Sequence, residues 1–272
     1  MKIPFLDLSR RFDELNKEIN EAFARVVAGG KFILGAEVEA FEQEWAQFCE
    51  AAGAVGAGNG TDALTLALIA SGAIRPGDEV ITTPLTAGYT ALAIANAGAK
   101  PVFADIDENK FNLDPEKIEA AITPRTRAIV PVHLYGQMAD MNAIGEIARR
   151  HNLIVVEDAA QAHGARLLEK PCGKSSLAAT FSFYPTKNLG AFGDGGAVVS
   201  DDEDFLRKIR VLRQGGHAEA MRSDSIGRNS RLDEIQAAFL RVSLGKLDGW
   251  NARRRELASI YFQRLSKSTL LK

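Results

Sequence analysis

From about residue 53 to Asp158 the chain alternates short apolar runs with stretches of helical periodicity. AVGAG leads to TDALTLALIASG, EVITT to YTALAIANAG, KPVFADI to DPEKIEAAI, AIVPVHL to MNAIGEIARRH, and the series ends on LIVVED. Apolar runs of strand length separated by helices require a mostly parallel sheet with helices on both faces. Pro76-Gly77-Asp78 and the stretch from Asn109 to Asp114 punctuate the returns to that sheet. Residues 11 to 28 and 36 to 50 have the threes-and-fours spacing of packing helices. After Asp158 the pattern predicts strands near 179 to 184 and 195 to 200, a helix from Glu203 to about Arg213, and two more from about Arg231 and Lys246. Ligands of such sheets bind beyond the carboxyl ends of the strands, so the polar residues that close each apolar run are the candidates for function.

Composition removes several classes. With 46% hydrophobic and 25% charged residues the chain can bury a sizeable core. The 33 basic residues balance 35 acidic ones with no block of like charge, so nucleic acid is not an expected partner. MKIPFLDLSRR reaches Asp7 and Arg10 before any run that could serve as a signal peptide, and no stretch is long and apolar enough to span a bilayer. The expected setting is cytoplasmic, without membrane attachment. Cys49 and Cys172 form no CxxC pair, and the four histidines show no HExxH spacing, so neither a disulfide framework nor a metal is assigned.

Three constellations carry chemistry. LIVV ends in Glu157-Asp158, which puts one carboxylate at the sheet rim while its neighbour points to the other face. Asp158 there either holds a protonated ring nitrogen or serves as a turn or N-cap residue. Lys187 follows the apolar strand ATFSF, a place for an enclosed amine whose lowered pKa makes it a nucleophile, against the alternative of a solvated loop lysine. Gly190, Gly193, Gly195 and Gly196 behind it permit close backbone approach, although they also suit plain turns. Asn59-Gly60-Thr61-Asp62 opens a helix after a strand, where free N–H groups receive a phosphate or an ordinary N-cap forms. An amine nucleophile, a rim carboxylate and a phosphate cup together describe a pyridoxal 5'-phosphate (PLP) site.

Four motifs in order, NGTDAL (59 to 64), VEDAAQAHGA (156 to 165), SFYPTKNLGAFGDGGAV (182 to 198) and NSRLDEIQAA (229 to 238), closely resemble the DegT/DnrJ/EryC1/StrS family of PLP-dependent sugar aminotransferases. The resemblance covers nearly the whole chain. It implies an α/β fold, the PLP-binding large domain of the aspartate aminotransferase type (PLP fold type I), over residues 1–245. Residues 246–272 would then begin the long helix that leads to a small C-terminal domain, largely absent from this sequence. It also implies a homodimer with shared active sites, and amino transfer from L-glutamate to a nucleotide-linked keto sugar.

Carried over position by position, Lys187 matches the Schiff-base lysine that also moves the proton, and Asp158 the carboxylate that keeps the pyridine nitrogen protonated. Gln161 matches the amide on the ring hydroxyl, Gly60, Thr61 and Ser182 the phosphate cup, and Asn229 the asparagine reaching the phosphate from the partner subunit. A dehydrating branch of the family has histidine where Lys187 stands, so Lys187 speaks for transamination.

Substrate candidates are His133 and Tyr135, which follow the strand AIVPV together with Gln137, and also Tyr184 and Arg228. His133 either faces the pocket or packs through hydrogen bonds, and Arg228 either meets a substrate phosphate or is a surface charge. Pro84-Leu85-Thr86-Ala87 departs from the family pattern by lacking the aromatic residue that stacks on the cofactor, leaving Tyr89 or His163 to cover the ring. Some sugar aminotransferases that act at C3 of the hexose also carry Thr-Ala at these positions, so the resemblance leans towards amination at C3. Family members continue past the position of Lys272, and the alternatives are a truncated, catalytically incompetent PLP-binding dimer and a PLP-dependent sugar dehydratase.

Overall fold

The computed structural model describes residues 4–219, 222–223, 226–266 and 268. Five strands come from the alternating region: β1 (Gly53–Ala57), β2 (Glu79–Thr82), β3 (Lys100–Phe103), β4 (Thr126–Ile129) and β5 (Ile154–Asp158). A short hairpin, β6 (Arg166–Leu167) and β7 (Lys170–Pro171), precedes β8 (Ala178–Ser182) and β9 (Gly196–Ser200). The main sheet has the order β1-β9-β8-β5-β4-β2-β3. Pairing is parallel from β8 to β3, and β9 runs antiparallel to both its neighbours. The carboxyl ends of β2, β4, β5 and β8 therefore share one rim.

Nine α-helices among the described residues complete the main framework: α1 (Ser9–Gly29), α2 (Ala36–Phe48), α3 (Gly60–Ala70), α4 (Tyr89–Asn96), α5 (Pro115–Ala121), α6 (Met141–His151), α7 (Glu203–Leu212), α8 (Glu234–Leu244) and α9 (Leu247–Leu265). Successive strand residues divide between two cores. Ile81, Ile129, Val155 and Val199 join Phe41, Trp45, Ile144 and Leu240 on one face. Val80, Ala128, Val156 and Val198 join Leu64, Leu68, Leu206 and Ile209 on the other. Inner strands buried on both faces explain the unbroken apolar runs, whereas edge strand β3 is partly exposed and tolerates Pro101.

Helix α8 starts at Glu234, three residues after the expected Arg231, because Asp233 is extended and forms a β-bridge to Ile33. Glu234 then caps another helix. Its carboxylate accepts the N–H groups of Gly35 (2.7 Å), Glu37 (3.0 Å) and Val38 (2.9 Å) at the start of α2, whose N-cap Gly35 has no side chain to do so. Both cysteines are buried free thiols. Among the described residues no helix is long and apolar enough to cross a membrane.

Candidate active site

β5 delivers two carboxylates to opposite faces of the sheet. Asp158 accepts a 2.8 Å hydrogen bond from Thr90 Oγ1 at the start of α4, and its other oxygen accepts the Ala160 N–H at 3.1 Å. Thr86 Oγ1 lies 3.0 Å from Thr90 Oγ1; since the Thr90 proton goes to Asp158, Thr86 is the donor of that second bond. Glu157, on the other face, is fully buried and accepts from Gly173 N at 3.0 Å and Ser176 Oγ at 2.6 Å, with His133 Nε2 at 2.8 Å.

His133 Nδ1 accepts the Ala139 N–H at 3.1 Å, so both ring nitrogens are engaged and the side chain has no exposure. The structure therefore corrects the pocket-facing alternative for His133: its ring is buried against Glu157 and does not line the cavity beside Lys187. His133, Glu157 and Cys172 bring ligand atoms within 4.8 Å of one another, but the imidazole and the carboxylate are already saturated by protein donors and acceptors.

At the start of α3, Asn59 caps its own helix, its Oδ1 accepting the Asp62 N–H at 2.8 Å. That bond and Ala63 N→Asn59 O (3.0 Å) leave the N–H groups of Gly60 and Thr61 without partners among the described residues. Gly60 is required by contact. A Cβ there would stand 2.6 Å from Ser182 Cβ, so the glycine keeps open a cradle between the α3 N-terminus and the end of β8. Two free N–H groups at the positive end of a helix dipole, with the Ser182 hydroxyl beside Gly60, fit a phosphate.

The segment after β8 carries Lys187. The Lys187 N–H closes a turn onto Tyr184 O at 2.8 Å, and the chain folds back so closely that a Cβ on Gly190 would lie 2.5 Å from Pro185 O. Arg11 of α1, its guanidinium over the Trp250 ring at 4.9 Å, donates from Nη2 to the carbonyls of Lys187 (3.1 Å) and Asn188 (3.3 Å). Asn188 Nδ2 donates to Asn251 Oδ1 at 2.7 Å, and Asn251 Nδ2 to His163 O at 2.9 Å. The His163 ring donates from Nε2 to Ser182 O at 3.0 Å, while its buried Nδ1 has no partner.

Burial lowers the pKa of the Lys187 ammonium, opposed by the nearby charge of Asp158. Burial, with Lys187 as the next cause, holds His163 down to about 3, so this imidazole is neutral. It sits among Trp45, Phe181 and Phe183 rather than free to move over a ligand.

Beside Lys187 opens a cavity of about 560 Å³ whose walls include Tyr135, Gln161, His163, Asn251 and Arg254. Gln161 Oε1 accepts the Tyr135 N–H at 2.9 Å, which leaves its NH₂ end as a donor. Tyr135 holds a left-handed backbone (φ 57°) and an exposed side chain, a conformation kept for few non-glycine residues. Asp158, Gly60, Thr61 and Ser182 stand outside the walls of this cavity.

Tyr184 and Asn229 are exposed, and neither lines the cavity. Arg228 is no free cation, since Nη1 pairs with Asp62 at 3.6 Å and Nη2 donates to Asn96 O at 3.2 Å. Tyr89 is exposed at the start of α4. Four contributors were missed in the sequence: Thr90, Arg11, Asn251 and Arg254. Thr90 lies in the first turn of α4, eight residues beyond the end of β2, and nothing local marks it or the other three.

A pyridine carrying a phosphate fits the chemistry the residues offer: a buried carboxylate for a ring nitrogen, N–H groups without partners among the described residues for the phosphate, and a half-buried lysine amine. The model of the DegT/DnrJ/EryC1/StrS aminotransferase family matches residues 13–271. The chain belongs to that family. Among curated members of this aminotransferase family, it is 51% identical over 265 residues to the dTDP-3-amino-3,4,6-trideoxy-alpha-D-glucose transaminase of Streptomyces venezuelae, covering 97% of this chain and 70% of that one. It is 46% identical over 263 residues to the UDP-N-acetyl-3-dehydro-alpha-D-glucosamine 3-aminotransferase of Acidithiobacillus ferrooxidans, covering 97% of this chain and 71% of that protein. The crystal structure of S. venezuelae DesV in complex with ketimine intermediate superposes with a TM-score of 0.95 at 51% identity, covering 98% of this chain and 71% of that one. The fold is thus that of an aminotransferase of this family.

Proposed function

We propose that this enzyme moves an amino group from L-glutamate to the keto group of a nucleotide-linked sugar, at C3 of the hexose. Pyridoxal phosphate is the cofactor; when bound, it supplies the electron sink that lets bonds break at the carbon bearing nitrogen. The observation that carries the reading is the convergence of an enclosed lysine amine, a buried aspartate and a glycine-lined helix N-terminus on one rim. The choice of C3 is supported by the Thr86-Ala87 sequence and by the names of the two curated relatives, which differ in nucleotide and agree in carbon.

Each side chain has a role suited to its chemistry. Lys187 Nζ would hold the cofactor aldehyde at rest and, once the substrate amine has displaced it, would be the free amine, of lowered pKa, that takes a proton from the substrate carbon and returns it. Asp158, aimed by Thr90 and the Ala160 N–H, keeps the ring nitrogen protonated through a charge-assisted bond. Gly60, Thr61 and Ser182 hold the phosphate, and the Gln161 NH₂ meets the ring hydroxyl. Tyr135 and Tyr184 face the sugar, with Arg228 anchoring the α3 start through Asp62. The active form is a homodimer. Asn229, exposed and without a side-chain partner among the described residues, reaches the phosphate of the neighbouring protomer.

The visible absorbance of the protein with PLP tests this reading. It predicts a protein-bound cofactor band that L-glutamate converts to the amine form, and a Lys187→Ala protein that folds but forms no such band. A band that persists in Lys187→Ala, or one that glutamate leaves unchanged, contradicts the assignment.

A further inference from the structure

The cavity beside Lys187 has an unusual charge balance. Among the described residues its walls carry three cationic side chains, Lys187, Arg254 and Arg255, and no acidic one. Arg11 adds a fourth positive charge behind the Lys187 loop, close enough to Arg254 that the two guanidinium groups repel. Asp158 is the acid that Lys187 feels, and its carboxylate is already occupied by Thr90 and the Ala160 N–H.

Arg254 differs from its neighbour on α9. Arg253 pairs with Glu256 at 2.6 Å, whereas Arg254 has no hydrogen bond or ion pair to any described residue. Partial burial against the protein lowers its pKa, and its charge is felt by both His163 and Arg11. The remaining polar groups at the cavity include two more donors without partners, the Tyr135 hydroxyl and the Gln161 NH₂ end. Like charges gathered without a counter-ion oppose one another, and an anion placed between them removes the cost. A guanidinium that spends none of its five donors on protein suits a planar, bidentate acid.

We infer that this cavity is an anion-receiving subsite in which Arg254 takes an acidic group of a substrate, the carboxylate of the amino donor or the diphosphate of the nucleotide sugar. The inference rests on the aminotransferase reading above for its choice of ligands. It adds a binding residue that lies on α9, outside all four motifs that mark the family, and it makes α9 part of the substrate site.

The test is calorimetric titration of the PLP-loaded protein with glutarate, a dicarboxylate without an amino group to react, and separately with uridine diphosphate. The expected result is binding of at least one probe to the wild type, weakened about tenfold or more by Arg254→Gln and partly retained in Arg254→Lys. The cofactor absorbance of the variants stays unchanged, because Arg254 is absent from the cradle. Loss for glutarate alone assigns the donor carboxylate, and loss for the diphosphate alone assigns the nucleotide. Equal affinity in wild type and Arg254→Gln overturns the inference, as does a wild type that binds neither probe. If the wild type shows no protein-bound cofactor band, the aminotransferase reading has failed instead, and glutarate titration of the apoprotein still decides the anion site.

Discussion

Arg11 and Lys187 lie 176 residues apart in sequence, yet Arg11 Nη2 donates a 3.1 Å hydrogen bond to the Lys187 carbonyl and a second to that of Asn188. An N-terminal helix thus fixes the backbone from which the reactive amine projects. Trp250 holds the guanidinium from the other side, and Asn251 ties Asn188 to His163, so α1 and α9 grip the loop together.

Replacing Arg11 with Met removes both donors while keeping an unbranched apolar stem against Trp250. Hydrogen bonds from a charged group contribute about 1.5–3 kcal/mol when well buried, and for the half-exposed Arg11 the expected loss is roughly 1–2 kcal/mol in urea unfolding. Because the loop also aims Lys187, the turnover number falls several-fold while the PLP dissociation constant changes little. Equal turnover in both proteins would show that the grip is structural only.

Thr90→Val exchanges the Asp158 donor for a methyl group of similar size, whereas Thr90→Ser keeps the hydroxyl. With one bond fewer the carboxylate is no longer held in the orientation that a ring nitrogen needs. PLP affinity falls by about tenfold in Thr90→Val, in line with the loss of one charge-assisted bond, and stays near wild type in Thr90→Ser. Equilibrium titration followed by cofactor absorbance measures both.

Gly60→Ala drives a methyl group to 2.6 Å from Ser182 Cβ and 3.0 Å from Ser182 Cα, so the start of α3 must shift away from β8. PLP affinity drops by about a hundredfold or more as the two free N–H groups lose their aim, an effect of the size seen when catalytic donors are displaced. Adding Ser182→Gly removes the nearer clash and recovers part of the thermal stability, but the cofactor affinity remains low because a phosphate-facing hydroxyl has gone. Melting curves with and without PLP separate the two effects.

His163 gives the protein an acid sensitivity of calculable sign. Its pKa of about 3 in the fold lies below the ordinary 6.5, so between these values the unfolded chain takes up a proton that the folded chain refuses. Stability then rises with pH across this window and is lost on acidification. From about pH 7 to about pH 4.5 this one group removes roughly 2.5 kcal/mol. His163→Phe keeps an aromatic ring among Trp45, Phe181 and Phe183. It is less stable near neutrality, having left Ser182 O without its donor, and its unfolding free energy declines less steeply with acid. Parallel slopes for the two proteins would place the titration elsewhere.

Much of this architecture was legible in the sequence because its signals are local. The apolar runs from AVGAG to LIVVED mark the strands, and Glu157-Asp158 divides between the two faces as a period of two requires. The cradle was visible as a glycine and a threonine at a helix start. Other features depend on packing between distant segments. The late start of α8 follows from Asp233 bridging to Ile33 and Glu234 capping α2, neither of which leaves a mark near Arg231. His133 stands beyond AIVPV at the rim, as expected, but whether it faced the pocket depended on Glu157 and on the Ala139 N–H. Arg11 and Arg254 belong to helices rich in exposed polar residues, where most arginines are solvated charges; only the folded chain brings them to Lys187.

In the proposed reaction nitrogen passes from glutamate through this site to a sugar carbonyl. This transfer is tested most directly by incubating the PLP-loaded protein with [15N]glutamate and a nucleotide-linked 3-keto hexose, then measuring the mass of the nucleotide sugar. The account predicts an amino sugar that carries the heavy nitrogen, formed by the wild type and not by Lys187→Ala. Consumption of the keto sugar with no nitrogen gained would contradict it and point to elimination chemistry instead.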